Sequence, residues 1–285
     1  MELYAIECGN FKLDGGAMFG VVPKALWQKT NPADTNNQID MATRSLLIEE
    51  GNKLILVDCG MGNKQDEKYF KHFSRWGQFD VDNSLKKHGF HRNDITDVIF
   101  THLHFDHCGG AIQWNATKEY FEPAFKNAKF WSNENHWQWS TEPNPREKAS
   151  FLKENILPIQ ESGQLNFIPL SKENNRTQTE FGFEVFTVDG HTEKQMLPMV
   201  KYKGKTIVFV ADLIPTVGHI PLVYIMGYDT RPLLTMKEKQ DFLKLAVNEK
   251  FYLFFQHDAH NQICTLKETE KGIVLDELFK VEDIF

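Results

Sequence analysis

The stretch DVIFTHLHFDHCGG, residues 97 to 110, decides how the rest of the chain is read. It opens on three core-type side chains, Val98, Ile99 and Phe100. It then sets His102, His104, Asp106 and His107 within six residues, ahead of two glycines. A short apolar run that ends in polar groups fits a buried strand reaching a cleft. In extended backbone, residues two apart point to the same side, so His102 and His104 can share one ion. A turn after Phe105 sends Asp106 and His107 towards a second. Gly109 and Gly110 are expected to let the backbone turn tightly. A single histidine at a strand end is ordinarily just hydrogen-bonded. Three histidines and an aspartate this close would each need a separate partner or carry a burial cost. A metal site satisfies them together. Imidazole and carboxylate donors suit Zn²⁺, and Fe²⁺, Mn²⁺ or Co²⁺ accept similar sets.

Other apolar runs end the same way. Residues 183 to 191, FEVFTVDGH, finish in Asp189 and His191; residues 206 to 212, TIVFVAD, finish in Asp212; residues 251 to 258, FYLFFQHD, finish in His257 and Asp258. Around them the sequence predicts a first strand over residues 3 to 8. A hairpin of residues 45 to 49 and 53 to 58 turns at Gly51-Asn52. VDNSLKKHG, residues 81 to 89, reads as a helix capped by Asp82 or Asn83 and stopped by Gly89. Residues 113 to 160 read as mostly helix and loop, residues 171 to 180 as an exposed polar turn, and residues 236 to 246 as a helix. Strands and helices in this order predict an α/β layered fold. A single domain over residues 1 to 285 is expected.

Composition narrows the function classes. The 285 residues carry a formal net charge of −7, with no basic footprint, so no nucleic-acid partner is expected. The N-terminus lacks the basic and apolar regions of a signal peptide. No apolar run approaches transmembrane length, so no membrane partner is expected. Four scattered cysteines, with no CxxC pair, suit a reducing, cytoplasmic location.

THLHFDH resembles the HxHxDH signature of the metallo-β-lactamase superfamily. The downstream partners follow in order: His191 in DGHT, Asp212 in VAD and His257 in FQHD. VDCGMG, residues 57 to 62, is similar to the family's early Asp-x-Gly turn. LDGGAMFGVVPKALW and ADLIPTVGHIPL resemble, more narrowly, a bacterial branch related to quorum-quenching N-acyl-homoserine lactonases. The resemblance covers nearly the whole chain. It implies an αββα sandwich, two mixed sheets flanked by helices. It also implies two Zn²⁺ ions, one on His102, His104 and His191, the other on Asp106, His107 and His257, with Asp212 bridging. The implied reaction opens a lactone, such as an N-acyl-homoserine lactone, by attack of a metal-bridging hydroxide, with Asp106 as the catalytic proton relay to the leaving alkoxide. No protein nucleophile is required, and the sequence has no Gly-x-Ser-x-Gly elbow. The same metal pair can attack phosphorus, so a phosphotriester or aryl-ester hydrolase is the alternative. Either way the partner is a small-molecule ester or lactone. A non-catalytic scaffold would be expected to lack ligands, and none is missing. Two departures bear on substrate. Leu213-Ile214-Pro215 stands where the lactonases carry a tyrosine, which leaves Tyr224 and Tyr228 as phenols from elsewhere. Glu193-Lys194-Gln195 follows His191 where the family often reads differently.

The neighbours of these residues have plainer readings. Cys108 is expected to pack rather than ligate. Asp58 is expected to form a turn or support a ligand, and Asp258 and His260 to support His257. His72, His88, His91, His136 and His219 have no comparable neighbours. FWSNENHWQWS, residues 130 to 140, reads as helix packing. Residues 11 to 30 mix glycine and proline with Phe11, Met18, Phe19, Val21, Val22, Leu26 and Trp27. Such a stretch is too apolar for a solvated linker. It is expected to form an ordered loop that walls or lids the metal cleft, and its exposed part can meet a second copy of the chain, as a homodimer.

Overall fold

Strand Asp97–Ile99 is only three residues long and wholly buried. It lies between parallel partners, Lys53–Val57 on one side and Lys129–Ser132 on the other. A parallel strand covered on both faces needs apolar residues at every position, which accounts for the unbroken run after Asp97. The computed structural model describes residues 1 to 78 and 80 to 284. It is a mixed α/β protein with sheets flanked by helices. The chain divides into two compact units, one of Met1–Asn10 with Thr43–Glu173 and the other of Phe11–Ala42 with Asn174–Phe285.

The sheet associated with the first unit orders Glu2–Asp14, Gln38–Glu50, Lys53–Val57, Asp97–Ile99, Lys129–Ser132 and Leu165–Phe167. The predicted hairpin is present: Gln38–Glu50 and Lys53–Val57 pair antiparallel, with Glu50 opposite Lys53 and Gly51 at φ 61° in the turn. Helix Val81–Lys87 is also present, but its cap is Asp80, one residue before the expected candidates, accepting from the Asn83 N–H. Val98, Phe100, Phe125, Phe130, Leu85 and Ile159 are fully buried in one cluster. Residues 113 to 160 are less helical than expected. Strands Ile112–Trp114, Phe121–Pro123 and Lys129–Ser132 precede helices Glu134–Thr141 and Lys153–Glu161. Three- and four-residue strands leave too few positions for a period to register.

In the second unit a seven-stranded sheet orders Gly272–Phe279, Ile263–Thr269, Tyr252–Phe254, Lys205–Phe209, Gln195–Tyr202, Glu184–Val188 and Arg176–Gln178. Only Lys205–Phe209 and Tyr252–Phe254 pair in parallel. Helix Pro232–Asn248 connects them and buries Phe242, Leu243 and Ala246. Such a connection is needed because parallel neighbours cannot be joined by a tight turn. Gln195–Tyr202 was not anticipated, since Pro198 argues against a central strand, yet Pro198 sits opposite Val185 in the register. The polar stretch 171 to 180 is not all turn, because Arg176–Gln178 pairs with the next strand.

Residues 11 to 30 depart from the expected loop. The first strand runs to Asp14, beyond the predicted residue 8, and two short helices follow, Gly15–Phe19 and Lys24–Trp27. Met18, Phe19 and Trp27 are buried in the second unit. Phe19 stacks on Trp27 at 5.1 Å and on His219 at 4.2 Å. No helix among the described residues is long and apolar enough to cross a membrane.

Candidate metal centre

Beyond Ile99 the chain leaves the sheet, bends at Thr101 and at His104, and enters helix Phe105–Cys108. His102, His104, Asp106 and His107 are all buried. His102 Nε2 and His104 Nδ1 face each other at 3.0 Å. Two imidazole nitrogens on one tetrahedral Zn²⁺ stand about 3.3 Å apart, given Zn–N bonds near 2.0–2.1 Å. The spacing therefore suits a shared ion. The His107 ring also lies close to that of His102, with centroids 3.8 Å apart, and its Nε2 is 3.9 Å from Asp106 Oδ1.

The rings of His102 and His107 are fixed through their second nitrogens. The buried carboxylate of Asp58 accepts from Thr101 N at 2.8 Å, from Thr101 Oγ1 at 2.7 Å and from His107 Nδ1 at 2.9 Å. Because the Thr101 hydroxyl proton is committed to Asp58, His102 Nδ1 donates to Thr101 Oγ1, at 3.1 Å. His104 Nε2 faces the buried Glu147 carboxylate at 3.4 Å. A ligating histidine usually donates its second N–H to a carboxylate or carbonyl, which sets the tautomer and raises ligand basicity.

The second unit repeats this pattern. His191 Nδ1 donates to Asp229 Oδ1 at 2.8 Å, and His257 Nδ1 donates to the Ala42 carbonyl at 2.8 Å. Both Nε2 atoms then face one carboxylate: Asp212 Oδ2 is 3.1 Å from His191 and Oδ1 is 2.9 Å from His257. Burial disfavours the His191 imidazolium, but the Asp212 and Asp229 charges outweigh it and push His191 up to about 10. The arrangement demands positive charge at the Nε2 side, from a proton or from a cation. A divalent ion fits that demand, and all the donor types present are those of Zn²⁺ chemistry. Among the described residues, two His/Asp groups could hold metal ions.

Local packing shows why these loops have their sequences. A Cβ on Gly190 would lie 2.3 Å from Thr235 N, so only glycine lets the loop before His191 press against helix Pro232–Asn248. Glu238 of that helix accepts from the Asp189 and Gly190 N–H groups. Gly109 and Gly110 are required for close approach rather than for turning. Their φ values are not positive, and a Cβ would meet the Met61 carbonyl at 2.3 Å or the Cys59 carbonyl at 2.1 Å. Ala211, just before Asp212, takes φ 40°, a costly conformation for a residue with a Cβ.

The plainer readings separate. Cys108 packs, donating from Sγ to the Leu103 carbonyl at 3.3 Å, and burial pushes its thiol upward. Asp58 is a support, as expected. Asp258 accepts from Asn261 N in its own loop and from Val217 N, 41 residues away, while the ring of His257 is held by the Ala42 carbonyl. His260 is exposed, 3.8 Å from Asp40. His136 does have a role: its Nε2 accepts from Leu103 N at 2.8 Å, inside the signature loop. His219 is bonded to Thr216 and Met18. Helix packing describes Trp137, which is buried. Glu147 and Asp229 were missed, because neither carries a local signal; Asp229 lies 38 residues from its histidine.

The model of the metallo-beta-lactamase superfamily matches residues 40–257. A probable metal-dependent hydrolase from Staphylococcus aureus is similar at TM-score 0.86 and 26% identity, over 98% of this chain and 96% of that one. AidC, a dizinc quorum-quenching lactonase solved with a product, is similar at TM-score 0.78 and 22% identity, over 98% and 95% of the two chains. A hydrolase of the beta lactamase superfamily, AbOPH, is similar at TM-score 0.76 and 19% identity, over 98% and 94%. With the signature, its anchored histidines and a family match across most of its length, this chain belongs to the metallo-beta-lactamase superfamily.

Proposed function

We propose that the protein is a dinuclear metal-dependent hydrolase that opens a lactone, with N-acyl-homoserine lactones as the leading substrate class. The observation that carries this reading is the second-nitrogen anchoring of four of the five histidines, by Thr101, Asp58, Asp229 and the Ala42 carbonyl, with the Glu147 carboxylate 3.4 Å from the fifth, His104. Structural histidines do not need such uniform tautomer control; ligands do. In this reading His102, His104 and His191 would hold one Zn²⁺, Asp106, His107 and His257 would hold the second, and Asp212 would serve both. Two bound ions supply water activation and polarisation of the acyl oxygen. Asp106, buried beside His107, takes the proton released on attack and returns it to the leaving alkoxide oxygen. The lactone specificity rests on the resemblance of the flanking stretches and on the likeness to AidC.

The free thiols of all four cysteines fit a reducing cytoplasm. A homodimer is part of the reading, because Val21 is 98% exposed and Leu26 and Val223 are exposed as well. Light scattering checks that point.

The test is elemental analysis of the purified protein followed by turnover of N-hexanoyl- and N-decanoyl-homoserine lactone, a phosphotriester, an aryl ester and a thioester. About two transition-metal ions per chain and the highest kcat/KM on a lactone are expected. Full activity in a metal-free protein would overturn the metal mechanism. A phosphotriester or aryl ester as the best substrate would move the assignment to the alternative.

A further inference from the structure

Tyr69 lies on the short helix Glu67–Phe70, and its backbone N–H is capped by the Asp66 side chain at 2.8 Å. Its ring is wedged among aromatic side chains. Phe73 is 5.2 Å away between centroids, and Phe105, the neighbour of Asp106, meets it edge-on at 6.1 Å. The phenol oxygen is shut off from solvent and has no hydrogen-bond partner among the described residues. Burial first, and then the nearby Asp106 charge, raise the phenol well above its ordinary value. The hydroxyl is thus a buried donor without an acceptor among the described residues, on a ring that meets Phe105, next in sequence to the carboxylate proposed as proton relay.

A buried donor left unmade is unfavourable, and phenylalanine would fill the same space without that cost. Phe70, Phe73 and Phe105 show that the surrounding pocket already accepts phenyl rings. A hydroxyl here thus calls for an acceptor that arrives from outside the chain. We propose that Tyr69 Oη donates a hydrogen bond to the acyl oxygen of the bound ester or lactone, and that this bond strengthens as that oxygen gains negative charge. The inference rests on the hydrolase reading above. It adds a catalytic residue from a part of the chain that carries none of the metal-ligating signature. The bond transfers no proton; it stabilises the developing oxyanion.

Tyr69→Phe separates this role from a structural one. On the best substrate of the panel, kcat is expected to fall about a hundredfold with KM changed less than about threefold. The thermal midpoint should be unchanged or raised, because an unsatisfied hydroxyl has been removed. Normal kcat would overturn the inference, and a lowered midpoint beside it would show that the hydroxyl only ties the fold through water. A second measurement does not depend on turnover. Binding of methylphosphonate, a tetrahedral oxyanion, to the metal-loaded protein is followed by calorimetry, and Tyr69→Phe should weaken it about fivefold or more. If the parent protein hydrolyses nothing on the panel, the hydrolase reading fails, and this binding ratio alone decides the phenol. Equal affinity in the two proteins, or no binding by the parent, would overturn the proposal.

Discussion

Asp58 gathers three donors on one carboxylate, the Thr101 N–H, the Thr101 hydroxyl and His107 Nδ1. It takes φ 56°, a conformation that aspartate tolerates better than most side chains. Asp58→Asn keeps the shape but replaces one acceptor oxygen with a donor. Metal retention in a chelator competition is expected to weaken about 10–100-fold, with the fold intact; retention equal to the parent would remove Asp58 from the support of His107. Asp106→Asn should lower kcat far more than the unfolding free energy, because the relay and one ligand go together. Near-normal turnover with full metal content would rule that role out. Cys108→Ala should leave metal content unchanged, since its thiol is occupied with the Leu103 carbonyl. Loss of an ion from that variant would show that the sulfur ligates.

At the scale of elements, helix Gly15–Phe19 and the turn Val217–His219 are locked by one stack. Phe19 lies between Trp27 and His219, and His219 Nε2 donates to the Met18 carbonyl at 2.9 Å. Phe19→Ala removes a fully buried ring, with an expected cost of about 3–5 kcal/mol in denaturant unfolding. Val21→Ser, at a 98% exposed position, should stay within about 0.5 kcal/mol. A pair of variants with equal small effects would contradict the packing. The same stack has a pH signature. Burial pushes His219 down to about 3, against about 6.5 in an unfolded chain. Between those values the unfolded state binds a proton that the folded state refuses. Stability from this group is therefore complete above pH 6.5 and falls as pH drops towards 3, by about 1.4 kcal/mol per pH unit. His219→Gln should flatten the acid limb of the stability–pH curve relative to the parent. An unchanged slope would show that the folded histidine is already protonated. The sequence marked this stretch as too apolar for a linker, which Phe19 and Trp27 bear out. The two helices were hidden because each is only four or five residues, with Pro23 between them.

Across the whole molecule, metal binding and folding are expected to be coupled. In the proposed reading the ions bind the folded state and scarcely the unfolded one, so they stabilise by mass action, about 4 kcal/mol at a thousandfold excess over Kd. Removing metal with a chelator should lower the thermal midpoint, and restoring Zn²⁺ should recover it. Identical midpoints with and without metal would show that the two groups of donors are held by the protein alone. The sequence by itself singled out the candidate metal-donor residues, the apolar runs leading into them and the α/β class. Those are local facts: a two-residue period puts His102 beside His104, and a strand buried on both faces must be apolar throughout. Only the tertiary structure decided what holds the rings. Asp229 reaches His191 across 38 residues, Ala42 reaches His257 across 215, and Glu147 reaches His104 from a separate turn. No periodicity encodes such pairs, because a hydrogen bond is set by distance in space and the chain between the partners is free to vary. The same holds for Gly190, whose missing side chain is explained only by Thr235 pressing against it, and for the short strand Lys129–Ser132, which is defined by its parallel neighbours and not by its own four residues.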